Sequence, residues 1–427
     1  MQVAIITIGS HGDVQPYVAL GLGLQAAGHK VRLVTHGSYE TFARARGLDF
    51  FALEGDPRGI LTSKAGRAMV DTGSNPVSFL LHFARADEQL IGELFTGCLK
   101  GCQGAEAILF SASGLLAGGY HVAQELDVPF YGAFLQPVHP TRAFPDALFP
   151  EWPARLPLGR GTYNVLAHHF AVQLAWQLFR RRINRKRADI LHLPPLPLMG
   201  PFKKLYSEQH PVFYGYSPSL LPKPADWGDA VHVTGYWYLN VGCDWQPPAP
   251  LVDFLQSGPP PVYIGFGSMS NRDPERSTHL LVEALARARQ RAVLLTGWGG
   301  LSSNNLPDYV FPVDSVPHDW LFPRMSAVVH HGGLGTTAEG LRAGVPSVII
   351  PFFADQPFWA ERVYRLGVSP RYIPREQLSV QNLAEAIRLA TSDPGMRRRA
   401  SALGERIRAE NGVERAVNLF NQYCSKH

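Results

Sequence analysis

The chain has 427 residues, of which 45% are hydrophobic, and this length is enough for two ordinary α/β domains. The formal net charge of +5 is too small to indicate a nucleic-acid-binding protein by itself, but it is compatible with anionic small molecules or a membrane surface. No Lys or Arg precedes Lys30 and no run of about 18 apolar residues occurs, which argues against a signal peptide and a transmembrane helix. We therefore expect a cytoplasmic protein.

The first 140 residues predict two successive strand–helix–strand units of a parallel sheet. The predicted strands are 3–8, 31–35, 107–110 and 129–134, and the helices between them end near Gly28 and span 115–126. A glycine turn joins the first strand to its helix, as in doubly wound nucleotide-binding folds.

The middle of the chain has a different pattern. Residues 140–160 are rich in proline and aromatic residues and predict a loop, whereas 163–187 predict a long helix with a very basic end. The proline-rich segment 244–261 is typical of a linker between domains.

The alternation of strands and helices starts again after this linker. Strands are predicted at 261–266, 292–296, 327–330 and 347–353, and helices at 277–290, 379–392, 394–410 and 412–424. These elements predict an α/β fold with two doubly wound, Rossmann-like domains. We place the N-terminal domain at 1–240, the C-terminal domain at 241–410, and a final helical segment, 411–427, packed back on the first domain. Ligands of such sheets bind outside the carboxyl ends of the strands, so a cleft between facing domains is the expected site.

The segment that follows the strand 327–330 predicts a phosphate site. His331, Gly332, Gly333, Leu334, Gly335, Thr336 and Thr337 open the next helix. Glycines allow a ligand to approach the backbone, the helix N-terminus attracts an anion, and the histidine and threonines can donate hydrogen bonds. The alternative is an ordinary glycine-rich turn with a threonine N-cap, because such a turn is a weak signal alone.

Polar residues further along the chain favour the phosphate site. Glu339 lies about one turn into the same helix, where its carboxylate can accept both hydroxyls of a ribose; the alternative is a solvated helical glutamate. Asp355 and Gln356 follow a predicted strand, and one carboxylate with one amide suits the adjacent hydroxyls of a sugar.

The spacing of these residues from Val316 to Gln356 resembles the donor-binding signature of the UDP-dependent glycosyltransferases, which have the GT-B fold. GSHGDVQPYVALGLGLQAAGHKVRLVTH resembles the N-terminal unit of the sterol 3-beta-glucosyltransferases and antibiotic glycosyltransferases. Four further segments resemble the sterol enzymes in particular: YNVLAHHFAVQLAWQLFRRRIN, GYSPSLLPKPADW, HVTGYWYL and PVYIGFGSM. The resemblance covers residues 1 to about 365.

The resemblance implies a role for each matching position. Val316 would present its backbone to the nucleobase of the donor, Glu339 would hold the ribose, and Asp355 with Gln356 would hold the hexose. The diphosphate would be held by Ser268, His331, Thr336 and Thr337. Ser10, Gly12, Gly333 and Gly335 complete the predicted donor-binding set. Ser315, Leu334 and Gly335 depart from the plant pattern and match the sterol and antibiotic branch.

Asp13 is the candidate general base. It stands where plant relatives place a catalytic histidine, and the resemblance implies that it accepts the proton of the attacking hydroxyl. The alternative is a helix N-cap aspartate. His11 competes with it, because a histidine titrates near neutrality. Ser111, Ala112 and Ser113 stand where plant enzymes have an acidic partner, so a His–Asp dyad is not supported.

Aromatic residues of the middle segment predict an apolar acceptor pocket, with Phe144, Phe149 and Trp152 as its walls. The alternative is that they pack within their own domain. The basic residues of 180–187 could rest on a membrane, or could form a solvated helix end.

We expect an inverting, metal-independent hexosyltransferase that uses a UDP-sugar, with glucose as the expected hexose, and acts on a hydroxyl of a lipophilic acceptor such as a sterol. The UDP-sugar is a co-substrate, and no cofactor, metal or nucleic acid is expected. A nucleotide-sugar epimerase of the same architecture, a non-catalytic nucleotide-sugar binding protein and a TDP-sugar-dependent antibiotic glycosyltransferase remain alternatives.

Overall fold

The computed structural model describes residues 1–55, 88–116, 118–153, 159–206, 210–240, 245–267, 273–296, 301 and 306–425. The chain divides into two compact units. The first contains residues 1–239 together with 410–427, and the second contains residues 240–409.

A seven-stranded parallel sheet forms the first unit. Its strands are β1 (Gln2–Ile6), β2 (Lys30–His36), β3 (Asp49–Leu53), β4 (Ala107–Phe110), β5 (Phe130–Phe134), β6 (Val212–Tyr214) and β7 (Val231–Val233). Their spatial order is β3-β2-β1-β4-β5-β6-β7. Every residue of β4 and β5 is buried, as expected for central parallel strands that helices cover on both faces.

The described helices of the first unit lie between these strands. They are α1 (His11–Ala26), α2 (Glu40–Arg44), α3 (Glu88–Gly101), α4 (Ala112–Leu116), α5 (Gly119–Glu125), α6 (Arg160–Leu191) and α7 (Phe202–Leu205). The predicted helix 115–126 is wrong in its continuity, because α4 and α5 are separate helices. Gly118, with φ +120°, lies between them in a conformation that only glycine adopts readily.

The C-terminal helix packs on the first unit. This helix, α8 (Gly412–Cys424), places Asn421 Oδ1 2.7 Å from His29 Nε2. Glu410, which precedes it, accepts hydrogen bonds from the hydroxyls of Ser217 at 2.8 Å and Ser219 at 2.7 Å. These contacts attach residues 410–427 to a sheet more than 170 residues away in sequence.

A five-stranded parallel sheet forms the second unit. Its strands are β8 (Val262–Gly265), β9 (Ala292–Leu295), β10 (Val310–Val313), β11 (Ala327–His330) and β12 (Ser347–Ile349), in the order β10-β9-β8-β11-β12. The described helices are α9 (Ala249–Gln256), α10 (Pro274–Ala288), α11 (His318–Leu321), α12 (Leu334–Ala343), α13 (Gln356–Arg365), α14 (Val380–Ser392) and α15 (Pro394–Arg408). His330 at the end of β11 pairs with Gly265 and Ile349, so the loops after three strands leave the sheet at one edge.

No helix among the residues described above is both long enough and apolar enough to cross a membrane.

Candidate active site

The carboxylate of Asp13 lies over the turn between β1 and α1. Asp13 is the third residue of α1, and its Oδ2 accepts hydrogen bonds from the N–H of Ser10 at 2.8 Å and from the Ser10 hydroxyl at 2.9 Å. A Cβ on Gly9 would lie 2.5 Å from the same oxygen, so only glycine allows this approach. The N-cap of α1 is Ser10, which shows that Asp13 is not the N-cap residue.

An open cavity of about 180 Å³ lies beside Asp13. Its walls come from the residues that follow β1, β4 and β5, three adjacent strands, and from the first two turns of α1. The lining residues are Thr7, Ile8, Asp13, Tyr17, Ser111, Ala112, Ser113, Leu135 and Gln136. The carboxyl edge of a parallel sheet is where such folds bind ligands, so the structure places the predicted base in a site of the expected kind.

Burial raises the pKa of Asp13, and the two hydrogen bonds from Ser10 oppose this rise. The direction follows from desolvation, which disfavours a carboxylate in a cavity. A raised pKa makes the carboxylate a stronger base than an exposed aspartate. No described residue forms a hydrogen bond with the second oxygen, Oδ1.

His11 lies outside the set of residues that line this cavity. Its ring contacts Phe42 edge-on at 4.9 Å and lies 6.3 Å from the ring of Tyr39. Desolvation lowers the pKa of His11, a hydrogen bond with Gln15 raises it, and Arg46 lowers it further. Geometry therefore favours Asp13 over His11 as the base. Of the other predicted residues in this turn, Ser10 holds Asp13 and Gly12 is exposed.

Ser111 and Ser113 stand where plant relatives have an acidic residue. Their hydroxyl oxygens are 2.9 Å apart, and Ser113 donates to the carbonyl of Ile8 at 2.6 Å. Both line the cavity. The part of the wall that these two serines form is therefore polar and carries no charge.

Three of the predicted diphosphate residues, His331, Thr336 and Thr337, lie at the carboxyl edge of the second sheet. His331 follows β11 directly, and a Cβ on Gly267 would lie 3.1 Å from its ring while a Cβ on Gly333 would lie 2.3 Å from its Nε2. The two glycines thus make room for the imidazole. Burial lowers the pKa of His331 to about 4, so the ring is neutral at physiological pH. Its buried Nδ1 has no hydrogen-bond partner among the residues described.

The N-terminus of α12 adds backbone donors beside this histidine. The N-cap residue is Gly333, which has no side chain that could cap the helix. The N–H groups of Leu334, Gly335 and Thr336 lack a partner within the helix, as the first N–H groups of any helix do. Gly335 is exposed and Thr336 is half-buried. A helix N-terminus with a neighbouring unpaired imidazole suits a phosphate group.

Thr337, which is predicted to donate to the diphosphate, has its hydroxyl engaged within the helix in this structure. Thr337 is fully buried, and both its N–H and its hydroxyl donate to the carbonyl of Gly333, at 3.0 and 2.9 Å. Since its one hydroxyl proton is used within the helix, Thr337 caps the turn and Thr336 remains the available hydroxyl.

Glu339 is half-buried, and few groups around it offset the loss of hydration of its carboxylate. Its Oε2 lies 3.8 Å from the guanidinium Nη1 of Arg342, and this oxygen has no hydrogen-bond partner among the described residues. Burial raises the pKa of Glu339 to about 7, Arg342 lowers it and Asp319 raises it. A carboxylate short of hydrogen-bond donors is suited to accept them from a ligand.

The remaining donor-site predictions fall on the loops next to this edge. Val316 lies between β10 and α11 with its side chain in the core, which leaves its backbone to contact a ligand. Asp355 accepts a hydrogen bond from the indole N–H of Trp359 at 2.8 Å, and the preceding Ala354 has a strained φ of +56°. Strain of this kind concentrates at functional sites. Ser268 lies outside the described residues.

Gln356 is buried, and its Oε1 accepts hydrogen bonds from the N–H groups of Phe352 at 2.8 Å and Phe353 at 3.3 Å. This oxygen therefore shapes the loop after β12. Because the side-chain oxygen of Gln356 is engaged in this loop, its amide N–H2 is the group that suits the expected contact with hexose hydroxyls.

The three predicted acceptor residues are absent from the lining of the cavity beside Asp13. Phe144 is 2% exposed and its ring packs 6.1 Å from those of His168 and Trp227. Phe144 is thus a core residue, as the alternative interpretation held. Phe149 and Trp152 are half-buried against Phe170 and Tyr163, respectively.

Sequence reasoning missed three polar residues of the cavity. Thr7 follows β1 directly and Gln136 lies two residues after β5. Polar side chains at such strand ends signal a ligand site, as they do at Asp355. Tyr17 carried no such signal, since a tyrosine in an apolar helix is ordinarily a core residue. Within the described part of the chain, no group of three or more His, Cys, Asp or Glu side chains could hold a metal ion.

Comparison with known proteins assigns both units. Residues 3–145 match the glycosyltransferase family 28 N-terminal domain, and residues 292–417 match the C-terminal domain of the erythromycin biosynthesis protein CIII-like family. The chain is 38% identical to the sterol 3-beta-glucosyltransferase UGT80B1 of Arabidopsis thaliana over 99% of its own length and 68% of the relative's.

The chain belongs to the family of the sterol 3-beta-glucosyltransferases.

Other relatives of this glycosyltransferase are longer than it is. It is 39% identical to UGT80A2 of Arabidopsis thaliana, of which it spans 65%, and 38% identical to a sterol 3-beta-glucosyltransferase of Cryptococcus neoformans, of which it spans 27%. Among solved structures, the glycosyltransferase of kitacinnamycin aligns with a TM-score of 0.69 at 19% identity, covering 99% of this chain and 98% of that one. VinC in complex with dTDP aligns with a TM-score of 0.64 at 18% identity, covering all of both chains. These findings confirm the predicted GT-B fold and the predicted family.

Proposed function

We propose that this glycosyltransferase moves a hexose from a UDP-sugar to a hydroxyl of a sterol-like lipophilic acceptor, with inversion at the sugar carbon. The observation that carries the proposal is Asp13, held by Ser10 in an open cavity within a chain that is similar to sterol 3-beta-glucosyltransferases along almost its whole length. Asp13 accepts the proton of the attacking hydroxyl, the oxygen bonds to C1 of the sugar, and the bond from C1 to the diphosphate oxygen breaks.

The leaving diphosphate gains negative charge as this bond breaks. We assign its stabilisation to the neutral imidazole of His331, the hydroxyl of Thr336 and the N-terminus of α12, all of which are hydrogen-bond donors fixed before the reaction. Glu339 accepts hydrogen bonds from the ribose hydroxyls. The donors of His331, Thr336 and the N-terminus of α12 stabilise this negative charge without a metal ion, and no cofactor enters the proposed reaction.

The cavity is smaller than a whole acceptor. Ligand pockets for drug-sized molecules are about 300–1,000 Å³, whereas the cavity beside Asp13 has about 180 Å³. It therefore accommodates the hydroxyl end of an acceptor, and the apolar body has to lie elsewhere. Phe149 and Trp152 remain our candidates for contact with that body, and Phe144 does not.

The experiment that tests this function is release of UDP from UDP-glucose with and without a panel of lipophilic alcohols. We expect release only when a sterol-like alcohol is present, together with a β-glycoside product. Release without any acceptor, or an epimerised sugar, would contradict transfer and return the epimerase alternative. A preference for TDP-glucose over UDP-glucose would favour the TDP-sugar-dependent alternative.

We also propose that α6 contacts an anionic membrane surface. Leu166 and Phe170 are 60% and 52% exposed on this helix, and at 3.6 residues per turn the exposed Arg181 and Arg185 lie on nearly the same face. Apolar side chains beside cations are typical of helices that lie on membranes. Arg187, predicted as part of the basic run, is buried and does not contribute.

Sedimentation with phosphatidylserine vesicles tests this contact. We expect binding that is weakened by salt and by Phe170→Glu, while the same change at exposed Tyr364, in the second unit, leaves it intact. Equal binding of both variants would contradict a role for this face.

A further inference from the structure

Hydroxyl groups in the wall of the cavity beside Asp13 direct their protons away from it. Three of them donate to backbone carbonyls: Thr7 to Asp13 at 2.8 Å, Tyr17 to Ala133 at 2.6 Å, and Ser113 to Ile8 at 2.6 Å. Each hydroxyl has one proton, so these three groups can offer a ligand only their oxygen lone pairs.

Ser111 follows the same pattern. Its oxygen lies 2.9 Å from that of Ser113, and because the proton of Ser113 is directed to Ile8, Ser111 is the donor between the two serines. Its oxygen also accepts the N–H of Gly114 at 2.9 Å. Together with the carboxylate of Asp13, the side chains of this wall therefore accept hydrogen bonds and do not donate them.

Gln136 is the exception among the lining side chains. It follows β5 after Leu135, it is half-buried, and its amide forms no hydrogen bond with any residue that the structure describes. An amide offers two N–H donors and one carbonyl acceptor. A partly buried amide without a partner is uncommon in a folded protein unless a ligand or water supplies one.

The polar group that matches this cavity must both donate and accept. Its proton can go to an oxygen of the wall, and its own oxygen can accept an N–H of Gln136. A hydroxyl has this pair of properties, whereas a carboxylate would face the oxygens of Asp13 and the wall without a proton to give them.

We propose that Gln136 is a specificity-determining residue whose side-chain amide donates a hydrogen bond to a substrate hydroxyl in the cavity beside Asp13. This inference rests on the proposed function, because it takes the cavity to be part of the transfer site. The hydroxyl belongs to one of two substrates: the reacting end of the acceptor, or the hexose of the donor. Both present the same chemistry to the amide.

Steady-state kinetics of Gln136→Leu and Gln136→Glu separate these sources. The matched control is Gln25→Leu. Gln25 is also half-buried on the first unit, but it lies in the last turn of α1 and donates to the carbonyl of Gly47 at 3.0 Å. The measurements are the KM of a sterol-like acceptor, the KM of UDP-glucose, and UDP affinity as a check on folding.

Loss of one neutral hydrogen bond weakens binding by about two- to tenfold. If the hydroxyl belongs to the acceptor, Gln136→Leu raises the acceptor KM by about this factor and leaves the KM of UDP-glucose unchanged. If it belongs to the hexose, the KM of UDP-glucose rises instead, and the variant no longer distinguishes UDP-glucose from donors that lack single hydroxyls. Gln136→Glu should show the same loss, because an ionised carboxylate has no N–H.

Both KM values within twofold of wild type, or changes equal to those of Gln25→Leu, would overturn the inference. A normal Gln136→Glu variant beside a weakened Gln136→Leu variant would also overturn it, since the carbonyl oxygen would then be the contact. If the wild-type protein transfers sugar to none of the alcohols, the proposed function fails separately. Calorimetric titration of UDP-glucose and sterol into wild type and Gln136→Leu then decides: equal affinities for both ligands contradict the inference, and weaker binding of either supports it.

Discussion

The ionisation of Glu339 gives a prediction with a calculable size. Burial raises its pKa to about 7, and the carboxylate form is the one that accepts two ribose hydroxyls. With a pKa near 7, about a tenth of the molecules are ionised at pH 6 and about nine tenths at pH 8. If the ionised form binds UDP about tenfold tighter than the protonated form, the Kd of UDP rises about fivefold from pH 8 to pH 6.

Isothermal titration calorimetry with UDP measures this change, and Glu339→Gln is the matched control. The phosphate of UDP also titrates near pH 6, but it does so equally with both proteins, so the ratio of their Kd values isolates Glu339. We expect wild type to bind about tenfold tighter than the variant at pH 8 and the two affinities to converge at pH 6. Parallel curves for the two proteins would refute the assignment of Glu339 to the ribose.

The same shift predicts a change in stability. The folded-state pKa of this acid is raised above its ordinary value of 4.5, so the folded state favours the protonated form. Its contribution to stability is present below pH 4.5 and is lost as the pH rises through about 7. Glu339→Gln, which stays neutral, should therefore gain in melting temperature relative to wild type between pH 5 and pH 8.

Three further predictions concern other parts of the account. His331→Ala should raise the Kd of UDP about tenfold or more, because it removes a hydrogen bond to a charged group; an unchanged Kd in calorimetry would exclude the imidazole from the diphosphate site. Phe144→Ala should lower the free energy of unfolding by about 3–5 kcal/mol in urea titration, whereas Phe170→Ala should change it by less than about 0.5 kcal/mol; equal effects would contradict the burial of Phe144. Activity should survive EDTA, and loss of activity that magnesium restores would contradict the proposed stabilisation of the leaving group.

The sequence predicted the alternation of strands and helices well where apolar runs were long or were followed by glycine. Strands β3, β6, β7 and β10 were not predicted; in β10 the pattern contains Pro312, and proline is uncommon inside a strand. The division between α4 and α5 was missed because a glycine inside a helical pattern is often tolerated, and its φ depends on how the chain packs.

The candidate site was predictable in position more than in detail. Asp13 and His331 follow strands, and sheet topology alone brings such residues to one edge. The use of the Thr337 hydroxyl depends on its rotamer, and the sequence does not report a rotamer. Phe144 shows the same limit, because an aromatic side chain in a loop is equally compatible with a core and with a ligand wall until its neighbours are known.

Replacement of Asp13 by asparagine tests the central claim most directly. Asparagine has nearly the same shape and can still accept the two hydrogen bonds from Ser10, but it cannot take a proton from an alcohol. We predict that acceptor-dependent release of UDP falls by about 100-fold or more, while the affinity for UDP and the melting temperature stay close to those of wild type. Turnover within a few-fold of wild type would contradict general base catalysis by Asp13 and would direct attention to His11.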